Sequence, residues 1–282
     1  MDAVPFAFCS AVAATLRTPS SIGERISSRI WRTAAVDDDR RRQNCGICIN
    51  YREGAGWSYG IWQGGSAITF LKLKELNRRD LRIENVSACK VTGSVWSSFE
   101  EIREIANYTL PCVSAATLFV DENKNWPQND LLELLSIYKH SAFVRICTRY
   151  NPSLLLDFLL PHLTSDLLKN VSIDGAACSL SLKEAVRDAA LHKQWKHLDF
   201  RVCDAKIDLD FLEALFQKPV TQEQEEYHFY FSFKKSALKK FKRDWRTSTR
   251  TRLEWKRPDG VKIEINAWNI SQNVCSITFW KN

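Results

Sequence analysis

The chain contains 282 residues, of which 45% are hydrophobic and 26% are charged, and its formal net charge is +7. These totals are ordinary for a globular protein that buries its own core without disulfide staples. The nine cysteines are odd in number, no apolar run reaches membrane-spanning length, and no basic residue precedes Arg17. We therefore expect an intracellular protein, cytoplasmic or nuclear, with reduced thiols and no membrane partner.

The first 42 residues are predicted to be helical. Apolar residues recur there every four positions in two stretches that Pro19 separates, and this spacing places them along helix faces. The charged run from Asp37 to Arg42 is expected to be solvated and to mark a boundary. The two apolar stripes consist of Phe8, Val12 and Leu16, and of Ile22, Ile26 and Ile30.

Residues 43–80 are predicted to form a short antiparallel meander. Ile47, Ile49 and Tyr51 alternate with other residues at the period of a β-strand. Glycine pairs supply the turns that separate successive strands. The expected strands are Ile47–Tyr51, Trp57–Trp62 and Ala67–Lys72.

The region 81–250 contains a repeat. The run Leu156-Asp157-Phe158-Leu159 returns as Leu209-Asp210-Phe211-Leu212, and one further strand–helix unit fits between the two copies. A strand spacing of about 26–30 residues is typical of a stacked βα solenoid. The predicted strands are Ala88–Val91, Thr117–Val120, Phe143–Cys147, Asn170–Ile173, Leu198–Cys203 and Tyr227–Phe233. The predicted helices are Ser98–Tyr108, Asn129–Lys139, Pro152–Leu163, Leu180–His192, Asp208–Gln217 and Lys234–Trp245.

Residues 251–282 return to short strands, predicted at Thr251–Trp255, Val261–Asn266 and Cys275–Trp280. Pro258-Asp259-Gly260 forms the turn between the first two, because proline fixes φ and glycine accepts positive φ. The predicted fold class is therefore α/β. It comprises N-terminal helices (1–42), an antiparallel meander (43–80), a leucine-rich-repeat-like βα solenoid (81–250) and a small C-terminal antiparallel cap (251–282).

The N-terminal segment resembles an F-box. That family's motif opens with an apolar–Pro pair, continues with a short amphipathic helix and ends in helices that carry a Trp. The whole chain is similar to the nematode-expanded families that join an F-box to a leucine-rich-repeat-like or F-box-associated region. The residues that carry the resemblance are Val4, Pro5, Phe8, Val12, Leu16 and Trp31.

This resemblance implies a substrate adaptor of a cullin-RING ubiquitin ligase. The six residues would bind a Skp-type adaptor protein by inserting apolar side chains into its groove. The remainder of the chain would bind an unknown protein target. The alternative is that the N-terminal helices only pack on the first strands.

Catalytic and metal-binding patterns are weak in this sequence. Cys45 and Cys48 have metal-ligand spacing, but no second pair follows at finger distance, and residues three apart in a strand point to opposite faces. The phosphate-loop, nucleophile-elbow and dinucleotide-binding motifs are missing from the sequence. The histidines at 140, 162, 192, 197 and 228 are scattered over different repeats. We expect a non-enzymatic protein without a cofactor or metal.

The segment from Lys234 to Arg257 is the most basic part of the chain, with 11 Lys or Arg and two acidic residues. Such a segment can bind phosphate backbones, which gives the alternative function, a nucleic-acid-associated protein. It can equally be a solvated helix face, with Leu238 and Phe241 turned inward. The residues assigned to nucleic-acid binding are Lys239, Lys240, Lys242, Arg243, Arg246 and Arg250.

Overall fold

The structure is a computed structural model that describes residues 5–13, 28–89, 94–121, 126–174, 179–193, 195–200, 209–219, 226–232, 246–249, 252–269 and 274–281. The chain divides into two compact units, Met1–Phe119 with Lys124–Phe143 and Val120–Asn123 with Val144–Asn282. Each unit combines helices with an open, mixed sheet. This confirms the predicted α/β class, whereas the division into four sequence segments stays a prediction.

The first unit contains both strands and helices, with runs of strands between single helices. The strands are β1 Gln43–Arg52, β2 Gly56–Gln63, β3 Ser66–Ile68, β4 Leu81–Ala88, β5 Val95–Ser97 and β6 Val113–Val120. The helices are α1 Phe6–Ala13, α2 Arg29–Arg41, α3 Phe70–Glu75, α4 Phe99–Thr109 and α5 Gln128–Ile137. A 3-10 turn, Leu110–Cys112, joins α4 to β6.

Strand β1 lies at the centre of the first sheet, whose order is β6-β4-β1-β2-β3 with β5 also paired to β2. It is antiparallel to β2 and parallel to β4. The core beside this sheet is rich in aromatic rings, because Trp57 lies 5.3 Å from Phe99 and 5.4 Å from Trp126. The Trp57 indole N–H also donates to Asp130 of α5 at 3.2 Å, so the helices are tied to the sheet.

Two sequence predictions in this unit are wrong. The third meander strand ends at Ile68, and α3 begins at Phe70 where the strand was expected to continue. The reason is local: Thr69 caps the helix by accepting the Lys72 amide, and Phe70 and Leu73, three residues apart, are both buried. The strand expected at Ala88–Val91 is instead β4, which ends at Ala88, and Val91 lies outside the described residues.

The charged run at Asp37–Arg42 is solvated only in part: Asp39, Arg40 and Arg41 are exposed, and the run lies where α2 ends and β1 begins. It continues α2 to Arg41, and Asp38 is buried. The Arg42 guanidinium pairs with the Asp38 carboxylate at 2.9 Å, and both side chains are less than a tenth exposed. Two opposite charges four residues apart on a helix lie side by side and can be buried together as a pair. Composition alone does not reveal such burial.

In the second unit, strands and helices alternate as far as Ser232, and the described elements after that residue are all strands. Its strands are β7 Ala142–Thr148, β8 Asn170–Ile173, β9 His197–Phe200, β10 Glu226–Ser232, β11 Arg246–Thr249, β12 Arg252–Lys256, β13 Val261–Asn269 and β14 Val274–Lys281. Its described helices are α6 Leu156–Thr164, α7 Leu180–His192 and α8 Leu209–Gln217. The helix expected at Lys234–Trp245 lies outside the described residues.

The strands of this unit follow one another in chain order. β7, β8, β9 and β10 are parallel neighbours, and one described helix precedes each of the last three strands. Beyond β10 the sheet becomes antiparallel through β14, β13, β12 and β11. The turn between β12 and β13 is as predicted, with Gly260 at φ +88° and its amide donating to Arg257 O at 3.0 Å.

The repeated Leu-Asp-Phe-Leu runs occupy equivalent places. One lies in α6 and the other in α8, and Phe158 and Phe211 are both buried. The leucine that follows each ring, Leu159 or Leu212, is also buried. The prediction that both rings belong to the core is confirmed.

Candidate interaction surfaces

The N-terminal helix α1 begins at Phe6, directly after Pro5. The Pro5 carbonyl accepts the amides of Phe8 at 3.0 Å and Cys9 at 3.2 Å, so the proline opens the first turn without needing an N–H of its own. Cys9 is fully buried. Phe6 and Phe8 are 45% and 55% exposed, which is unusual for phenylalanine in a packed helix.

Helix α1 packs on α2, and two of the predicted adaptor-binding residues meet there. The rings of Phe8 and Trp31 are nearly perpendicular, with their centroids 6.1 Å apart. We call Phe6, Phe8 and Trp31 the N-terminal apolar patch. Of the other predicted residues, Pro5 and Val12 lie on the same helix segment, whereas Val4 and Leu16 lie outside the described residues.

A second surface lies on the sheet of the second unit. Registration of the parallel strands sets Arg145, Asn170, His197 and His228 in one row across β7 to β10. A second row contains Cys147, Ser172, Asp199 and Tyr230. We call these eight residues the polar face.

The opposite side of the same strands is apolar. Ile146, Val171, Leu198 and Phe229 stand between the two rows in sequence, and all four are buried. Alternation of this kind places the core on one side of the sheet and leaves polar side chains on the other. Asp199 is the exception on the polar face, because it is buried, whereas the other seven side chains are at least partly exposed. These seven offer polar groups at regular spacing, which suits recognition of another molecule.

Aromatic and imidazole rings meet at one end of the polar face. The His197 ring lies 6.4 Å from His228 and 5.1 Å from Tyr230, measured between centroids. The expectation that these histidines are scattered is wrong for this pair. The two histidines are 31 positions apart, close to the predicted spacing of about 26–30 residues between successive strands. This similarity was the signal that could have placed them side by side on neighbouring strands.

The first unit carries an open cleft of about 520 Å³ on its sheet. Its lining includes Asn44, Cys48, Trp62, Asn85 and Ser87. The Trp62 ring lies across Gly60, where any Cβ would collide with it. The cleft thus combines a few polar side chains with glycines, the thiols of Cys45 and Cys48, and one aromatic wall.

A smaller cleft of about 230 Å³ adjoins the first and shares Asn44, Glu84 and Asn85 with it. It is also lined by Arg42 and Arg82. Burial, followed by the nearby Arg42 charge, lowers the pKa of Arg82. The positive charge of Arg42 in this cleft is already neutralised by its ion pair with Asp38.

The cysteines of the first unit do not form a metal site with three or more Cys, His, Asp or Glu ligands among the residues that the structure describes. Burial, with smaller effects of Cys112 and Glu84, raises the pKa of the Cys45 thiol to about 11. Cys48 has a different neighbour, since its sulfur lies 3.3 Å from that of Cys89. The hydrogen bond with Cys89 and then burial raise the pKa of Cys48.

The predicted nucleic-acid-binding residues are hardly represented in the described parts of the chain. Arg246 begins β11 and its backbone is registered with Glu254 of β12. The remaining five, Lys239, Lys240, Lys242, Arg243 and Arg250, lie outside the described residues. Binding of nucleic acid by this segment therefore stays a prediction.

Within the described residues, every helix is too short or too polar to cross a bilayer. No family model, no curated protein and no solved structure matches this chain. The functional conclusion consequently depends on the surfaces themselves.

Proposed function

We propose that this protein is a non-enzymatic interaction molecule that acts as an F-box-type substrate adaptor of a cullin-RING ubiquitin ligase. In this proposal the N-terminal apolar patch docks a Skp-type adaptor protein. The strand–helix units from β7 onward form part of a leucine-rich-repeat-like solenoid, and the antiparallel strands after β10 cap it. The polar face presents side chains to a protein target.

The exposure of Phe6 and Phe8 is the observation that carries this proposal. Two large rings half-exposed within three residues are costly to leave in water, and aromatic residues are enriched among binding hot spots. Trp31 supports Phe8 from the neighbouring helix, so the ring is held in place before a partner arrives. A preordered anchor loses less side-chain entropy on binding.

The regular order of the second unit supports the solenoid part of the proposal. Parallel strands that follow one another in chain order, with a helix before each new strand, generate a curved sheet with helices on one side. Such sheets provide extended binding surfaces. The polar face occupies the side opposite the buried core, where a target would bind.

Direct binding of the full chain to a purified Skp-type adaptor tests the docking step. We expect Phe8→Ala to weaken the affinity by about 30-fold, the size of a hot-spot loss of about 2 kcal/mol. Leu71→Ala, at a 73% exposed leucine on α3, is the matched control and should leave binding unchanged. No capture of the adaptor by the wild-type chain, or equal weakening by both variants, would contradict the proposal.

The target-binding step is tested separately on the polar face. Proteins recovered by crosslinking from cells should crosslink through residues of β7 to β10. Arg145→Ala removes an exposed side chain of this face, and Lys196→Ala removes an exposed one from the connection just before β9. A target that depends on Arg145 but not on Lys196 supports the assignment, whereas crosslinks confined to the first unit would relocate the target site.

A further inference from the structure

We propose that Cys48 and Cys89 form an oxidative modification site, at which a hydroperoxide converts the two reduced thiols into a disulfide that links β1 to the end of β4. The two sulfur atoms lie 3.3 Å apart. A disulfide requires about 2.05 Å, so the sulfurs must approach by only about 1.3 Å. This inference is independent of the proposed function.

The main chain makes Cys48 and Cys89 diagonal neighbours across the β1–β4 pairing. Cys48 is paired with Ser87 across the parallel β1–β4 ladder. The amide of Cys89 donates to the Ile49 carbonyl at 3.0 Å, which continues the ladder beyond the last residue of β4. The two side chains therefore meet because of the sheet itself, and their approach does not depend on a loop closing.

Cys45, the other cysteine of β1, has different neighbours from Cys48. Cys45 lies three residues before Cys48 on the same strand, and its electrostatic neighbours are Cys112 and Glu84. Cys45 lines the same cleft as Cys48, but it is registered with Ile83 of β4, whereas the 3.3 Å sulfur contact joins Cys48 to Cys89. Cys45 thus serves as an internal reference on the same strand.

Access differs between the two thiols and sets the order of the steps. Cys89 is half-buried, whereas Cys48 is buried and lines the open cleft of about 520 Å³. The Cys89 sulfur first attacks the terminal oxygen of the hydroperoxide and the O–O bond breaks, which gives a sulfenic acid and one alcohol, or one water when the oxidant is hydrogen peroxide. The Cys48 sulfur then attacks the Cys89 sulfur, the S–S bond forms, and the hydroxyl leaves with the Cys48 proton as water.

The resting pair is expected to react slowly at neutral pH. The raised pKa of Cys48 keeps its thiol protonated, and the thiolate is the nucleophile in disulfide formation. The rate of disulfide formation should therefore increase with pH. A site of this kind would respond to sustained oxidant and remain reduced under ordinary conditions.

Peptide mapping of the full chain tests the proposal. Wild-type protein is treated with hydrogen peroxide, blocked with an alkylating reagent and digested with trypsin without reduction. We expect a crosslinked pair made of residues 43–52 and 83–90, which contain Cys48 and Cys89. The product should disappear after treatment with dithiothreitol, and oxidised protein should unfold at a higher temperature because the crosslink restricts the unfolded chain.

Three variants assign the sulfurs. Cys48→Ser and Cys89→Ser should each abolish the crosslinked product, and Cys45→Ser should retain it. The proposal is wrong if the wild-type crosslink runs through Cys45. Oxidation of the half-buried Cys147 shows that the peroxide has acted, so the proposal is also wrong if Cys48 and Cys89 both still react with the alkylating reagent at that point. Oxidation of Cys89 to a sulfinic acid without a crosslink would contradict it as well. These readings come from the wild-type protein, so they hold even if a variant fails to fold.

Discussion

The ammonium group of Lys218 lies 2.6 Å from the carbonyl oxygen of Ala190, in the last turn of α7. It also donates to the Lys193 carbonyl, and Lys193 in turn donates to Leu163 at 3.0 Å and to Ser165, at the end of α6. Arg257 makes the same contact with the end of α8, donating to Phe216 at 3.1 Å. In each case a basic residue from a later part of the chain satisfies carbonyls at the end of an earlier helix, where the helix dipole favours a cation.

Removal of one such contact should destabilise the second unit. We expect Lys218→Met to lower the free energy of unfolding by about 1–3 kcal/mol, because the carbonyls at the end of α7 lose a donor while they remain partly buried. Lys196→Met is the control, since that side chain is exposed. Urea denaturation of both variants measures the difference. Equal stability of the two variants would show that the contact contributes nothing.

The same lysines make stability depend on pH. Burial lowers the pKa of Lys193 and of Lys218 to about 8, from an ordinary value of 10.5. Between these two pH values the unfolded chain binds more protons than the folded chain, so this contribution to stability rises with pH. Below about pH 8 both states are protonated and the burial penalty is fully present.

We therefore expect the stability difference between wild type and Lys218→Met to shift in favour of wild type from pH 7.5 to pH 9.5. Urea midpoints at the two pH values measure it, and the subtraction removes the contributions of other titrating groups. A difference that is constant with pH, or that shifts in the opposite direction, would contradict the lowered pKa.

Phe158 and Phe211, the two repeated phenylalanines, should contribute equally to the free energy of unfolding. Phe158→Ala and Phe211→Ala are each expected to cost about 3–5 kcal/mol of unfolding free energy, the loss found for a buried ring. Leu180→Ala is the control, because Leu180 is exposed on α7. Thermal or chemical denaturation checks the values. A small effect at only one of the two positions would remove their equivalence.

The buried ion pair of α2 gives another test. Asp38→Ala leaves the Arg42 charge without its carboxylate in a site that is almost inaccessible to water, and we expect a cost of about 3 kcal/mol or more. Asp39→Ala, one residue further along the helix and exposed, should have little effect. If both variants unfold at the same urea concentration, the pair does not stabilise the first unit.

For the basic segment we expect no tight binding of RNA or DNA at about 0.15 M salt, where nonspecific phosphate contacts are already weak. Fluorescence anisotropy with short labelled oligonucleotides measures this. Submicromolar, salt-sensitive binding would favour the nucleic-acid function instead, provided that charge reversal at Lys239, Lys240, Lys242 and Arg243 abolishes it without unfolding the protein.

Local signals in the sequence were sufficient for much of the fold. Helix α7 has the predicted ends Leu180 and His192, because Ser179 caps its first turn by accepting the Leu182 amide. The equivalence of Phe158 and Phe211 also followed from the sequence, because the repeated Leu-Asp-Phe-Leu run places both rings at the same position of two repeats.

Properties that depend on pairing across the sheet could not be predicted in the same way. The contact between the Cys48 and Cys89 sulfurs joins positions 41 apart, and it exists only because β1 is parallel to β4. Burial of Asp38 likewise required knowledge of what covers α2. Of the predicted adaptor-binding residues, sequence periodicity grouped Phe8 with Val12, but only the structure places the Phe8 ring beside Trp31.

The parallel register of β7 to β10 has a consequence for how the polar face can change. Each strand contributes one residue to each row, for example Asn170 and Ser172 from β8, or Arg145 and Cys147 from β7. Substitutions at such a pair alter one column of the face and leave the neighbouring columns and the buried side of the sheet as they were. Affinity for a new target can therefore be acquired one column at a time, without a change in the packing of the core at each step.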